Sequence, residues 1–424
     1  MKKFAKLFLT LGVVSSAIAP LTMVACGDPK HPKSPTEWVA DVKENSKFKL
    51  ENTQSVPKMA VITDGGDLND KSFNQSAWEG LLKIANQNKL GLDKYDIFEV
   101  AGSDFSAAYN AALAGGYKYW VLPGFMHQAA IKDFYAKNKT AMEKAGVTLI
   151  ALDFDLKGAD IPEGRGISLN FKTKEGGFMA GYAAAKFLSS NTNEKDRTAS
   201  TFGGGDFPGV TDFNEGFLKG IQQWNSEQTD SSKKIKITDE VIALDSGFAP
   251  NDKMNSVINA VLAKNPKLVL PVAGPATNIM TSKEEFNTKY AIGVDSDQAL
   301  TAPKNKERFF TSILKRIGQA VYDTLGGLLT NDKSFIGNYE EGKTNSSLVK
   351  GVKDGWVGLT DTHITGDKQK EAEDALNTAK AKFNGLNEEQ LKWLLGNKAT
   401  QSGAEIEKVV DRLKEIIKEI NKRN

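Results

Sequence analysis

The sequence predicts an α/β fold of two similar lobes, each a doubly wound parallel sheet. From Lys58 onward, short apolar runs alternate with longer helical patterns. About nine such runs are more than one twisted sheet ordinarily holds, and a fresh series begins near residue 170. Alternation of this kind implies βαβ units with right-handed crossovers. The roughly 400 residues beyond the N-terminal leader also exceed what one core organises.

The first unit is the clearest. An apolar run from Met59 to Ile62 ends in Thr63-Asp64, and a glycine-bearing polar loop follows. Trp78, Leu81, Leu82 and Ala85 then recur at helical spacing, so the order is strand, loop, helix. In open parallel sheets ligands bind beyond the carboxyl ends of the strands, which is where this loop delivers its acids, an amide and Phe73. Further strands are expected at 95–100, 117–122, 147–152 and 166–169, then at 198–202, 235–244, 267–272 and 290–294. Helices fall between them, for example at 175–188, 211–224 and 253–263. A late strand at 309–314 (FFTSIL) and a helix at 318–329 fit a return to the first lobe through a hinge, with a last strand at 356–359. This places lobe 1 at 58–168 plus about 315–335, and lobe 2 at 169–314 plus about 336–365.

The ends of the chain differ from its middle. Lys2, Lys3 and Lys6 precede an apolar run from Leu7 to Ala25, which stops at Cys26, the only cysteine. A basic start, an apolar stretch and small residues before a cut describe an export signal over 1–25. Met23-Val24-Ala25-Cys26 resembles a bacterial lipoprotein box, in which the cysteine is acylated. The alternative is an uncleaved anchor, because about 18 apolar residues can just span a bilayer. Either way the bulk of the protein is expected at the extracytoplasmic face of the cell membrane. Residues 26–57 are rich in Pro, Lys, Asn, Glu and Ser and read as a flexible tether; some 30 such residues span about 30 Å. Residues 366–424 lose all strand signal. There Ile406, Val409, Val410, Leu413, Ile416, Ile417 and Ile420 mark a helix, expected to lie on its own lobe, with a partner helix as the alternative.

Composition narrows function. One cysteine permits no internal disulfide and no paired-cysteine metal site. Removing the three leader lysines from the formal +2 leaves −1, so there is no electrostatic reason to expect nucleic-acid binding. Gly337 to Thr344 fits the phosphate-loop pattern GxxxxGK[ST], but no buried strand precedes it, no long helix follows it, and two glutamates inside it would repel phosphate. A surface turn is expected. Asp64, Asp67 and Asp70 stand three apart, not two apart as in calcium loops. His31, His127 and His363 have no ligand-spaced neighbour, and no nucleophile accompanies His127. Gly203-Gly204-Gly205-Asp206 lacks the third glycine of a dinucleotide loop and reads as a tight strand-to-helix turn. No enzyme activity, metal or cofactor is expected.

ITDGGDLNDKSFNQSAWEGL resembles the opening motif of the basic membrane protein family, the purine-nucleoside-binding lipoproteins of bacterial ABC importers. GGGDFPGVTDFNEGFLKG, AIGVDSDQ and TSILKR resemble its later motifs, in order, so that the likeness covers roughly 58 to 360. The resemblance implies a type I periplasmic-binding fold: two lobes joined by a three-strand hinge and closing on a nucleoside. It implies ligand contacts from Asp64, Phe73 and Asn74 in the first motif, and from Asp295 and Lys315 in the last two. Asp153, Phe248 and Gly274 follow by their place after later strands. Phe73 and Phe248 would hold the base between them, and the acids would hold the ribose. The implied partners are a small nucleoside, an ABC permease and, through Cys26, the membrane, with the protein a monomer. A sugar-binding protein of the same fold and a surface adhesion or signalling lipoprotein remain as alternatives.

Overall fold

A computed structural model describes residues 30–65 and 68–422. The leader, Cys26 and Asp67 lie outside the described residues. Lobe 1 begins with β1 (Met59–Ile62), α1 (Phe73–Gln87), β2 (Tyr95–Phe98), α2 (Phe105–Ala114), β3 (Tyr119–Pro123), α3 (His127–Lys144), β4 (Thr148–Leu152) and β5 (Gly166–Phe171). The chain then crosses to lobe 2: α4 (Thr173–Leu188), β6 (Thr198–Gly203), α5 (Pro208–Ser226), β7 (Lys236–Ile237), α6 (Asp252–Ala263), β8 (Leu268–Val272), α7 (Ala276–Thr281), β9 (Tyr290–Asp295) and β10 (Phe309–Lys315). It returns as α8 (Ile317–Thr330), α9 (Lys333–Ile336) and β11 (Ser346–Lys350). A third crossing leads to β12 (Val357–Leu359), α10 (Gln369–Asn384), α11 (Glu388–Leu395) and α12 (Val409–Asn421).

The two sheets repeat one another. Their orders are β11-β5-β4-β3-β1-β2 and β12-β10-β9-β8-β6-β7, parallel throughout except that β12 runs antiparallel to β10. Both central strands are apolar on both faces, as VILP-type runs buried between helix layers must be: β3 and β8 are buried at every residue. In lobe 1 α1 packs on α8 from the far half of the chain, and in lobe 2 α4 packs on α5. Glycines allow the close approach. A Cβ on Gly80 would overlap the Gly318 carbonyl oxygen, and one on Gly181 would overlap that of Phe217.

Three expectations need correction. The strand expected at 235–244 pairs with β6 only at Lys236–Ile237. Asp239 then turns inward to the Ser200 hydroxyl and to Lys264 Nζ at 2.7 Å, which draws the chain off the ladder. Residues 336–350, expected in lobe 2, belong to lobe 1, because β11 pairs with β5 from Ser346↔Ile167 to Lys350↔Phe171. The tether is not free over 30–57, where the chain lies along lobe 1 as a strap. Trp78 Nε1 donates to the Lys33 carbonyl (3.0 Å), and the backbone N–H groups of Val39 and Ala40 donate to Glu79. Phe48 is fully buried against Gly326, Tyr322 and Phe335. The C-terminal helix lies on its own lobe, as expected, and the whole extension joins the lobe 2 core through Leu376, Leu394, Leu413 and Ile416.

Candidate functional site

The carboxyl ends of the two sheets face each other across a cavity of about 530 Å³. Asp64, Phe73, Asn74, Asp153, Phe248, Gly274, Asp295 and Lys315 all line it. The eight residues come from six different strand ends or loops, and only the pairing of the lobes brings them together.

On the lobe 1 side, the loop after β1 folds back on the start of α1. Asp70 accepts from the backbone N–H groups of Ser72 (2.9 Å), Asn74 (2.8 Å) and Gln75 (3.2 Å), satisfying donors that a helix N-terminus otherwise leaves open. Burial nevertheless pushes its carboxyl up to about 7, against those hydrogen bonds. Asn74 ties this cap to the strand end: its Nδ2 donates to Asp64 Oδ1 (2.9 Å) and Asp70 Oδ2 (3.1 Å), and its Oδ1 accepts from Asp64 N–H (3.2 Å). Phe73, the first residue of α1, is thereby fixed with its ring toward the cleft.

Asp153 and Asp295 occupy matching places, just after β4 and at the end of β9. Both adopt the left-handed backbone conformation, at φ 64° and 67°, which turns the chain sharply out of the strand. Lys315 closes the floor. It is 2% exposed, pairs with Asp153, and sits over the rings of Phe73 (4.9 Å), Phe171 (5.2 Å) and Phe213 (5.8 Å). A buried ammonium needs such neighbours, a carboxylate and ring faces. Asp295 is held up from the usual carboxylate range by burial, with Lys315 opposing, and it accepts from the Ser72 hydroxyl at 2.7 Å. That last bond crosses between lobes, as does Ser296 Oγ to the Lys71 carbonyl (3.0 Å).

Two cleft aromatics escaped the sequence reading. Phe125, after β3, and Phe207, before α5, stack across the lobes at 5.2 Å and 14°, and Phe248 lies 5.9 Å beyond Phe207. Both follow a strand end in a glycine-bearing turn, and that was the available signal. The Gly203–Gly205 turn has a packing reason: a Cβ on Gly204 would collide with the Phe248 ring. His127 is fully buried, bonded through Nδ1 to the Tyr109 hydroxyl (2.6 Å), and burial lowers it to about 3. It is neutral and cannot act as a surface base. The Gly337–Thr344 segment is a turn closed by a Glu340–Thr344 bridge, with Glu341 paired to Lys118. Among the described residues no cluster of side chains could hold a metal ion, and no helix is long and apolar enough to cross a membrane.

A family profile described as "ABC transporter substrate-binding protein PnrA-like" matches residues 57–390. The chain belongs to this family. The profile extends past the expected limit near 360 and takes in α10. The chain is similar to "ABC transporter nucleoside-binding protein BmpA" of Lactococcus lactis, 27% identical over 339 residues, which is 76% of this chain and 86% of that protein. It is 28% identical over 326 residues to "Basic membrane protein B" of Borreliella afzelii, covering 75% and 85%. Among solved structures, an ABC transporter solute-binding protein from Aeropyrum pernix K1 superimposes with a TM-score of 0.58 at 19% identity, covering 85% of this chain and 91% of that one. A transcriptional activator of the comK gene from Bacillus halodurans gives 0.54 at 14%, covering 77% and 98%. These two show the fold, a type I periplasmic-binding architecture. As a PnrA-like protein the chain is an extracytoplasmic, membrane-anchored lipoprotein that binds a small molecule for an ABC transporter, and it is not an enzyme.

Proposed function

We propose that the cleft captures a purine nucleoside and presents it to an ABC permease, with the protein a monomer held to the membrane by acylated Cys26. The observation that carries this reading is a cleft that sets aromatic rings and carboxylates from both lobes around one cavity. Phe73 and Phe248 line it from opposite lobes, and Asp153, Asp295 and Lys315, the last over the Phe73 ring, form its buried polar floor. Stacking a base on an aromatic face contributes about 1–3 kcal/mol, and a carboxylate is a strong acceptor for ribose hydroxyls. Acids around the cleft, Asp64, Asp153 and Asp295, disfavour a phosphate, so a nucleoside suits it better than a nucleotide. The name carried by the Lactococcus relative supports the same ligand class.

Isothermal titration of residues 30–424 tests it. Guanosine or inosine should bind with a Kd of about 1 μM or tighter, while ribose and glucose give no heat. Binding of a sugar alone would replace the nucleoside reading with a sugar-binding one. A protein that takes no saturable small ligand would point to adhesion or signalling.

A further inference from the structure

The strap over 30–57 changes what the lipid anchor can do. His31 is 8% exposed, with its ring 5.1 Å from Trp78 and 5.2 Å from Tyr95. Lys33 Nζ donates to the Ile97 carbonyl (2.7 Å) and pairs with Asp96 (3.2 Å), both on β2. The strap is held again at Lys43 N–H to Gln319 Oε1 (2.7 Å), Asn45 N–H to the Tyr322 hydroxyl (2.7 Å) and Leu50 N–H to Asn88 Oδ1 (2.7 Å). The chain is therefore fixed to lobe 1 from His31 onward. Only Gly27 to Lys30 separate Cys26 from it, and five fully extended residues reach about 18 Å at most. A free chain of some 30 residues could have reached about 100 Å.

We infer that the bilayer is a partner surface of lobe 1. With Cys26 acylated, β2, the edge strand of the lobe 1 sheet, stands against the membrane within that short reach. Lobe 2 and its C-terminal extension connect to the anchor only through the three crossovers. Opening and closing of the cleft then moves lobe 2 over a lobe 1 whose position is set by the lipid. The proximity comes from covalent length and not from charge, since the chain without its leader is near neutral. The inference rests on the proposal that Cys26 is acylated.

Because Cys26 is the only cysteine and acylation consumes its thiol, a single introduced cysteine takes a fluorophore specifically. Pro32→Cys and Glu99→Cys mark the strap and the end of β2; Lys414→Cys marks α12, and all three positions are exposed. The full-length acylated protein is placed on phosphatidylcholine vesicles carrying a headgroup-linked energy acceptor. Transfer should be severalfold stronger from residues 32 and 99 than from residue 414. Inserting a flexible Gly-Ser stretch of 20 residues after Gly27, which adds about 25 Å, should remove most of the contrast. Equal transfer from all three sites, or contrast unchanged by the insertion, overturns the inference while leaving the lipoprotein intact. A Cys26→Ser protein that still sediments with membranes removes the acylation premise and the inference with it.

Discussion

The two lobes share one plan and differ in how each binds a terminal segment. In lobe 1 the helix after the fifth strand in sheet order carries Trp78-Glu79-Gly80-Leu81-Leu82-Lys83; in lobe 2 its counterpart carries Asn214-Glu215-Gly216-Phe217-Leu218-Lys219. Both glutamates are fully buried. Glu79 meets neutral donors: the backbone N–H groups of Val39 and Ala40 from the N-terminal strap, and Gln75 Nε2 (2.8 Å). Burial therefore holds its carboxyl above the ordinary range, with those bonds opposing. Glu215 meets cations: Lys219 (2.6 Å), Lys174 (3.0 Å) and, from the C-terminal extension, Arg412 (2.9 Å). Burial works against its charge, but the three cations prevail and hold the carboxyl below the ordinary range. Lys219 in turn donates to the carbonyls of Trp393 (2.8 Å) and Gly396 (3.1 Å) near the end of α11, where the helix dipole favours a cation. One equivalent position thus serves as a neutral clasp for one terminus and an ionic clasp for the other.

The difference can be broken by deletion. Glu215→Ala leaves three buried cations without their shared partner and should cost about 3–5 kcal/mol, read by denaturant unfolding, with α11 and α12 becoming the first segments cut by protease. Gly181→Ala forces a methyl into the α4–α5 contact and should cost about 1–3 kcal/mol, again in lobe 2. Glu79→Ala leaves two strap N–H groups unbonded at a partly exposed site, so about 1–2 kcal/mol is expected, with proteolysis confined to 30–57. If Glu79→Ala proves as damaging as Glu215→Ala, the ionic and neutral clasps are not distinct. The subtlest change is one of slope. Asp70, with its carboxyl raised from 3.8 to about 7, binds its proton more tightly when folded. Its contribution to stability is complete below about pH 4 and is lost as pH rises through about 7. Asp70→Asn should flatten the fall in stability between those values, and an unchanged slope would assign it to other groups.

The fold was legible because buried parallel strands leave near-continuous apolar runs, as at Met59–Ile62 and Leu268–Val272. The candidate cleft was legible because the acids and rings that line it sit at the ends of those runs within recognisable motifs. What stayed hidden depends on partners distant in sequence. β11 is an edge strand reading Ser-Ser-Leu-Val-Lys, with only Ser346 fully buried, so it shows neither a run nor a firm alternation. The strap looks like a linker because its own side chains are polar. Beyond Phe48, His31 and Lys33, its hold comes from backbone groups bonded to Glu79, Asn88, Gln319 and Tyr322, and composition does not record that. Phe125 and Phe207 are 82 positions apart and meet only when the lobes do.

The central claim is that one ring from each lobe grips a purine. Calorimetry with inosine on the wild type, Phe73→Ala and Phe248→Ala tests it most directly. Each variant should bind about 5- to 150-fold more weakly, the equivalent of about 1–3 kcal/mol of lost stacking, and the half-exposed Phe248 should be replaced without a change in unfolding midpoint. A Phe73→Ala protein that binds inosine as tightly as the wild type would contradict it.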